Sequence, residues 1–242
     1  MTFELGFLLD DDGSGRTYLE WMLQAWGWTL SVAFSAWVVA MVCGIFIGVL
    51  RTLNHMPLLQ NFGRAWVELF RNIPLLVQIF IWYFVLPKLF PFMQALPSFL
   101  LVVLGLGLFT SARIAEQFRA AIESLSKGQR QAAMALGLST WETYRSVLLP
   151  MGLRVILPPL TSESMNLLKN SSVAFAVSIS ELTMFAMQVQ EETSRGIEVY
   201  LAVTVLYALS AFVVNRLFVA LERRLQIPGA GTVVKPLAMA GH

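Results

Sequence analysis

The sequence predicts an all-α membrane protein with five transmembrane helices, its N-terminus outside and its C-terminus inside. Three observations carry that expectation: the composition, the uncharged runs, and the placement of Lys and Arg. Of 242 residues, 57% are apolar and 13% charged, against about 25% charged in an ordinary soluble domain. Mean hydropathy is +0.66. So apolar a chain has too much to bury to be disordered and too little polar surface to cover a soluble domain of this size. A formal net charge of +2 argues against nucleic-acid binding. Cys43 is the single cysteine, so no internal disulfide is expected. His55 and His242 are the two histidines, too few for a Cys/His metal cluster.

A spanning helix needs about 20 mostly apolar residues. Residues 28–50 carry no charge and form the first span. Residues 72–87 form the second, which reaches spanning length if the helix passes Lys88, a residue able to snorkel. The third starts near Pro97, an allowed first-turn residue, and ends near Ile114. Residues 155–177 form the fourth, apolar except for Glu163 and Lys169. Residues 199–215 form the fifth and extend to Leu221.

Orientation follows from the basic residues. Arg51, Arg64 and Arg71 lie between spans one and two. Arg113, Arg119, Lys127, Arg130, Arg145 and Arg154 lie between three and four, and Arg216, Arg223, Arg224 and Lys235 follow five. The opposite side holds only Arg16, Lys88 and Arg195, together with the acidic Asp10, Asp11, Asp12, Glu191, Glu192 and Glu198. No signal-peptide pattern opens the chain, so the first apolar run is expected to act as its own targeting signal. Residues 1–25 read as an outside segment, 26–224 as one membrane domain, and 225–242, rich in Pro and Gly, as a flexible inside tail. The multi-pass chain is thus expected in a lipid bilayer.

The inside segment, about 117–151, reads as a folded loop. Ser126 and Gln129 have capping-box spacing, and a helix over 129–136 ends at Gly137, a natural C′ residue. Ser139 and Glu142 form a second box, opening a helix that Pro150 is expected to stop. Such short helices are stable only when packed on something. The run Gln131-Ala132-Ala133, three residues, Gly137, nine residues, Val147-Leu148-Leu149-Pro150 resembles the EAA motif of ABC importer permeases, with Gln131 in place of Glu and Val147 in place of Ile. The stretches from Glu68 to Gln78 and from Glu116 to Leu125 resemble the polar amino-acid permeases, and the stretch from Thr161 to Ser172 their glutamate/aspartate branch.

The resemblance spans about 26–224 and implies a type I permease fold. It implies a dimer of P-loop ATPases bound inside at Gln131, Ala132, Ala133, Gly137, Leu149 and Pro150. It also implies a second, non-identical permease and a periplasmic substrate-binding protein, all in a bacterial inner membrane. ATP and Mg would belong to the ATPase and no cofactor to this chain, which accordingly has no GxxxxGK[ST] motif with which to cradle phosphate. The chain would be a non-catalytic subunit of an amino-acid importer, acidic amino acids first, with glutamine, histidine or arginine as alternatives. A self-contained carrier is a weaker expectation: five spans are few for the repeat-built carriers, and a docking loop needs a partner. A membrane enzyme lacks an intramembrane acid–base or metal constellation.

An ionisable group inside a span costs roughly 2.5–3.5 kcal/mol on insertion scales, and is by default paired or functional. Glu163 and Lys169 are six apart, so they do not share a helix face. Lys169, Asn170 and Ser171 are expected to face the pathway and meet an anionic substrate group, with Glu163 and Asn166 on the same helix as further pathway candidates. Burial against neighbouring helices is the alternative for Glu163 and Lys169. Arg113 and Glu116, one turn apart, are expected to pair. Pro158-Pro159 is expected to break the backbone ladder of span four. Arg71-Asn72-Ile73-Pro74 opens span two as a basic anchor, with Pro74 in its first turn. Gly44-x-x-x-Gly48 permits close helix contact, within the chain or with a second permease. Trp21, Trp26 and Trp28 are expected at one membrane interface.

Overall fold

The computed structural model describes residues 5–53, 56–125 and 127–225. The tail from 226 onward, both histidines and the Ser126 cap lie outside them. The described residues are almost wholly helical: α1 Tyr18–Thr52, α2 Pro57–Asn72, α3 Leu75–Phe80, α4 Leu86–Leu89, α5 Ser98–Ser124, α6 Lys127–Ala135, α7 Thr140–Thr143, α8 Leu149–Asn170, α9 Leu182–Thr193 and α10 Gly196–Leu225. Turns of π-helix, Ile81–Val85 and Tyr144–Leu148, join α3 to α4 and α7 to α8, and a 3₁₀ segment, Ser171–Val177, follows α8.

Among the described residues, α1, α5 and α10 are long and apolar enough to cross a membrane. Two further pairs qualify only as bent spans: α2 with the α3–α4 rod, at 104°, and Thr140–Val177 with α9, at 53°. The expected second span is thus not a straight helix. Its α3–α4 rod covers about 22 Å at 1.5 Å per residue, short of an apolar core of about 30 Å. Pro74 precedes α3 as its N-cap and holds Ile73 extended, which ends α2. The Gln78 amide closes this elbow, donating to the carbonyls of Phe70 (2.7 Å) and Ile73 (2.9 Å).

Helix α1 starts well before the uncharged run does. Thr17 caps it: its hydroxyl accepts from the Glu20 N–H at 3.2 Å, and its own N–H donates to the Glu20 carboxylate at 2.9 Å. Trp21 and Trp26 are therefore helical. Trp21 packs edge-on to Phe185 of α9, and the Trp26 indole donates to Ser210 of α10 at 2.8 Å. Helix α5 runs ten residues past Ile114, so residues 117–124 belong to it and not to the loop. Nor does Pro150 stop a helix. In the π turn before it the Leu149 N–H bonds to Tyr144 O, and Pro150 falls in the first turn of α8, where no N–H is needed. Helix α8 continues across Pro158 and Pro159, and the backbone changes only at Ser171–Ser178, where Ser178 is left-handed.

The most extensive helix contact is between α1 and α5. A Cβ at Gly44 would lie 2.7 Å from Ile114 Cβ and 3.0 Å from Ser111 O. At Gly48 it would lie 2.9 Å from Phe118 Cβ and 3.1 Å from Ala115 O, and at Gly107 it would lie 2.7 Å from Val39 Cβ. The Gly44–Gly48 pair is therefore used inside the chain, against α5, and not against a second permease. In lipid, where apolar side chains gain nothing by leaving solvent, close backbone approach of this kind drives helix association.

At the other end of α1, residues 10–17 form a tight turn. The Asp12 carboxylate accepts from the Ser14 hydroxyl (2.6 Å) and N–H (2.9 Å) and from Arg16 Nε (2.5 Å). The Ser14 hydroxyl first, and then Arg16, pull its pKa from 3.8 down to about 2. Its folded value lies below its unfolded one, so its contribution is present above about pH 4 and lost as pH falls through about 2. A carboxyl NMR titration should give an Asp12 midpoint near 2; a midpoint at the ordinary aspartate value would mean that these bonds do not persist. For the α1–α5 contact, Gly48→Leu should cost about 1–3 kcal/mol through overpacking, read as a lowered melting temperature in detergent. Gly27→Ala, within α1 where a Cβ meets nothing within 4 Å, should not lower the melting temperature and should raise it slightly, since Ala is the better helix former.

Candidate functional site

Three places gather the polar groups of this apolar chain. The first is where α8 gives way to 3₁₀ helix. Lys169 sits in the last turn of α8, where a cation suits the helix dipole. It lines a cavity of about 320 Å³ together with Ser172, Thr183, Tyr200, Thr204 and Tyr207. That volume is in the range of small-ligand sites. Lys169 forms no ion pair or hydrogen bond with any described residue. Ser171 is fully buried, its hydroxyl donating to Leu168 O at 2.7 Å, so it does not face this cavity. Ser172, three residues on from Lys169 and so on the same face of the chain, lines the cavity instead. Asn166 and Asn170 are half-buried and outside the cavity wall.

Behind the wall lies Glu181, which is not among the residues expected from sequence. It is completely buried. One carboxylate oxygen accepts from the N–H groups of Thr183 (2.9 Å) and Met184 (3.1 Å), capping α9. The other accepts from the Tyr207 hydroxyl at 2.8 Å, with the Thr29 hydroxyl at 3.5 Å. No cation pairs with it among the described residues. Its signal was present: it is the one charged residue between Lys169 and Glu191.

The second place is a cavity of about 450 Å³ lined by Arg71, Phe109, Ala112, Arg113, Glu116, Gln117 and Glu163. The expected Arg113–Glu116 pair does not form. Arg113 Nε reaches across to Glu163 of α8 at 2.9 Å, and Gln117 donates to the same carboxylate at 2.9 Å. Glu163 is buried, and a buried carboxylate without a cation is costly, so it takes Arg113. Glu116 is held instead by Arg51 of α1 and by Arg119. Of the pathway candidates, then, Lys169 and Glu163 line separate cavities.

The third place is the loop. Helix α6 ends in a Schellman turn: the Leu138 N–H donates to Ala133 O (3.1 Å) and the Gly137 N–H to Met134 O (3.0 Å). Gly137 has φ +79°, which a Cβ would strain. Ser139 and Glu142 cap α7 reciprocally. The Tyr144 hydroxyl donates to the Thr52 oxygens, both at 2.9 Å, tying the loop to the end of α1. Gln131, Ala132, Gly137 and Pro150 are exposed, whereas Ala133 is buried and Leu149 half-buried against the core. Met134, Leu136 and Trp141, not singled out from sequence, are large apolar side chains left exposed, Leu136 at 82%. Their signal is their apolar character in a polar loop.

Residues 40–227 match the family described as binding-protein-dependent transport system inner membrane component. The chain is similar to the glutamate/aspartate import permease protein GltJ of Escherichia coli K12, at 40% identity over 233 residues, covering 92% of this chain and 94% of that protein. It is also similar to the glutamine transport system permease protein GlnP of the same strain, at 34% over 204 residues, covering 82% and 90%. A chain in the crystal structure of an amino acid ABC transporter with histidines superposes with a TM-score of 0.74 at 29% identity, covering 86% of this chain and 95% of that one. Apolar helices closed around α1 and α5, a structured polar loop between α5 and α8, and a family match over most of the length lead to one conclusion: the chain belongs to the binding-protein-dependent transport system inner membrane components, the permeases of ABC transporters.

Proposed function

We propose that the chain is the permease subunit of an ATP-driven importer of amino acids, acidic ones first. It lies in a bacterial inner membrane as five spans, counting each bent pair as one, with the N-terminus outside and the C-terminus inside. The observation that carries the substrate class is Lys169, a cation without an ion-pair partner among the described residues, in a cavity wall that also carries hydroxyls. A cation so placed suits a substrate with surplus carboxylate, in keeping with the similarity to a glutamate/aspartate permease. The loop 127–150 is the docking element for a P-loop ATPase dimer, which holds ATP and Mg. Gly137 sets its angle, and Met134, Leu136 and Trp141 supply apolar area beside Gln131 and Ala132. A second, non-identical permease completes the path, and a periplasmic binding protein delivers substrate.

A second reading has its own support. The cavity wall carries several hydroxyls, and one relative at 34% identity is a glutamine permease, so an uncharged polar amino acid is the alternative. Reconstitution with the ATPase and binding protein separates the two by uptake of glutamate, aspartate and glutamine. Lys169→Ala should reduce glutamate uptake at least tenfold, roughly the loss of one charge-assisted hydrogen bond, while the ATPase still copurifies. Undiminished glutamate uptake by that variant overturns the assignment of Lys169. Gly137→Trp places a side chain on a left-handed residue at roughly 1–2 kcal/mol. It should abolish copurification of the ATPase while the permease stays in the membrane fraction; retained copurification sinks the docking role of this loop.

A further inference from the structure

Helices α1 and α10 each pack on α8 and make no extensive contact with each other. Between them runs a groove of about 620 Å³, floored by α8. Its floor, Leu167 and Leu168, is buried, while its rims, Phe34 of α1 and Leu217 of α10, are 69% and 64% exposed. Two contacts bridge it. At one end the Trp26 indole of α1 donates to Ser210 of α10. At the other, the rings of Trp37 and Phe218 meet edge to face at 5.9 Å. Trp26 and Trp37 are eleven residues apart on α1, about 16 Å at 1.5 Å per residue. The groove offers nothing to a polar solute. The Trp26 and Trp37 indoles donate to Ser210 and Ser164, both at 2.8 Å. Those two hydroxyls give their own protons to Leu206 O and Leu160 O. Every side-chain donor in the wall is thus spent, and the remaining lining residues are apolar.

A groove left empty between spanning helices forfeits contacts along all its walls, so something apolar fills it. A volume of about 620 Å³ over about 16 Å gives a channel about 7 Å across, narrower than the 10–12 Å of a helix with its side chains. It is too narrow for a helix of a second permease to enter, and it suits an alkyl chain. The length of the stripe beneath it points the same way. Ser210 lies at the middle of α10, and Ser210, Leu217 and Arg224 follow one another at intervals of seven along one face of that helix. From Ser210 to Arg224 is about 21 Å along the axis, half the roughly 40–45 Å of a bilayer with its headgroups. The stripe therefore has the length of one phospholipid, with the apolar groove along one part and a cation at the headgroup end. Arg224 is exposed and has no ion pair among the described residues.

We propose that this groove is a site for an anionic phospholipid of the leaflet at the C-terminal end of α10, with one acyl chain lying between α1 and α10 and the phosphate meeting Arg224. The inference goes beyond the transport reading, because Leu167 and Leu168 line the groove whereas Lys169 lines a separate cavity. An acyl chain gains little by moving from lipid to an apolar wall. The fit of the groove therefore fixes where the chain sits, and the guanidinium, a bidentate donor to phosphate, selects the headgroup. Arg223 carries the same charge but stands about 100° around the helix from Arg224, off the stripe. The bound lipid completes the packing of α10 against α1, which the two helices do not achieve by direct contact.

The test is photolabelling of the purified permease–ATPase complex in phosphatidylcholine nanodiscs, read by peptide mapping. The probe is phosphatidylglycerol or phosphatidylcholine carrying a diazirine in one acyl chain. Label from phosphatidylglycerol should concentrate on residues 30–37 and 209–218. It should exceed label from phosphatidylcholine there about fivefold, the gain expected of one arginine near a lipid phosphate. Arg224→Gln should remove that excess and Arg223→Gln should keep it. Leu217→Trp, which fills the groove from its rim, should lower the labelling of 30–37 by both probes. Copurification of the ATPase reports the fold of each variant. Equal labelling by the two lipids in the unaltered complex overturns the anionic site, and so does an equal loss in Arg223→Gln and Arg224→Gln. Unchanged labelling in Leu217→Trp overturns the groove as the seat of the chain. An unlabelled groove beside a labelled stretch 38–46, where Val38, Val42 and Phe46 are exposed, means that protein covers it and overturns the lipid occupant.

Discussion

Everything in this fold leans on the near contact of two backbones, α1 and α5. Gly44, Gly48 and Gly107 leave no room for a Cβ between them. Lipid offers little hydrophobic drive, so the gain comes from packing, and packing requires small residues at the crossing. Once that pair is set, other groups have fixed addresses. Arg51 at the end of α1 meets Glu116 of α5. Ser111 of α5 accepts the Trp66 indole of α2 at 3.1 Å. Thr52 receives Tyr144 from beyond the loop. The loop is thus not tethered only through its chain ends; it is pinned to the foot of the most tightly packed pair of helices.

Charge is handled in two ways along the molecule. Around the cavity lined by Arg71 and Glu163, carboxylates are bound across helices by Arg51 and Arg113, and within α5 by Arg119, so the helices there are stitched together by ionic contacts. Removing one partner of such a contact leaves a poorly hydrated charge, which costs more than the contact itself contributes. Around Lys169 the chain does the opposite: neither Lys169, in the cavity wall, nor the buried Glu181 has an ion-pair partner among the described residues. The first arrangement suits a wall that must hold its shape or break as a unit. The second suits a place where a passing solute supplies the missing charge.

Much of this was visible in the residues before any coordinates. The uncharged runs located α1, α5 and α10, and Gly137 with the Ser139–Glu142 box located the bend in the loop, because each is a signal within a few turns of chain. The start of α1 is equally local, in the Thr17–Glu20 capping box, but it lies about ten residues before residue 28, where the expected first span begins. Helices α2 and α9 were not visible as separate elements. Each mixes polar with apolar residues, and each is held by what it packs on: α2 by Gly63, Trp66 and Val67 against α1 and α5, α9 by Glu181 and Leu182 against Thr29 of α1.

The sequence by itself determined that the chain is a helical membrane protein, which of its helices are long and apolar, and that the loop turns at Gly137. Hydropathy and capping act over neighbouring residues, so no tertiary knowledge is needed to read them. Only the tertiary structure decided that Arg113 serves Glu163 and not Glu116, that Ser172 and not Ser171 stands beside Lys169, and that Glu181 backs the same cavity. Those choices depend on which groups lose water when helices far apart in sequence meet. Desolvation, rather than spacing along the chain, selects the partner of a buried charge.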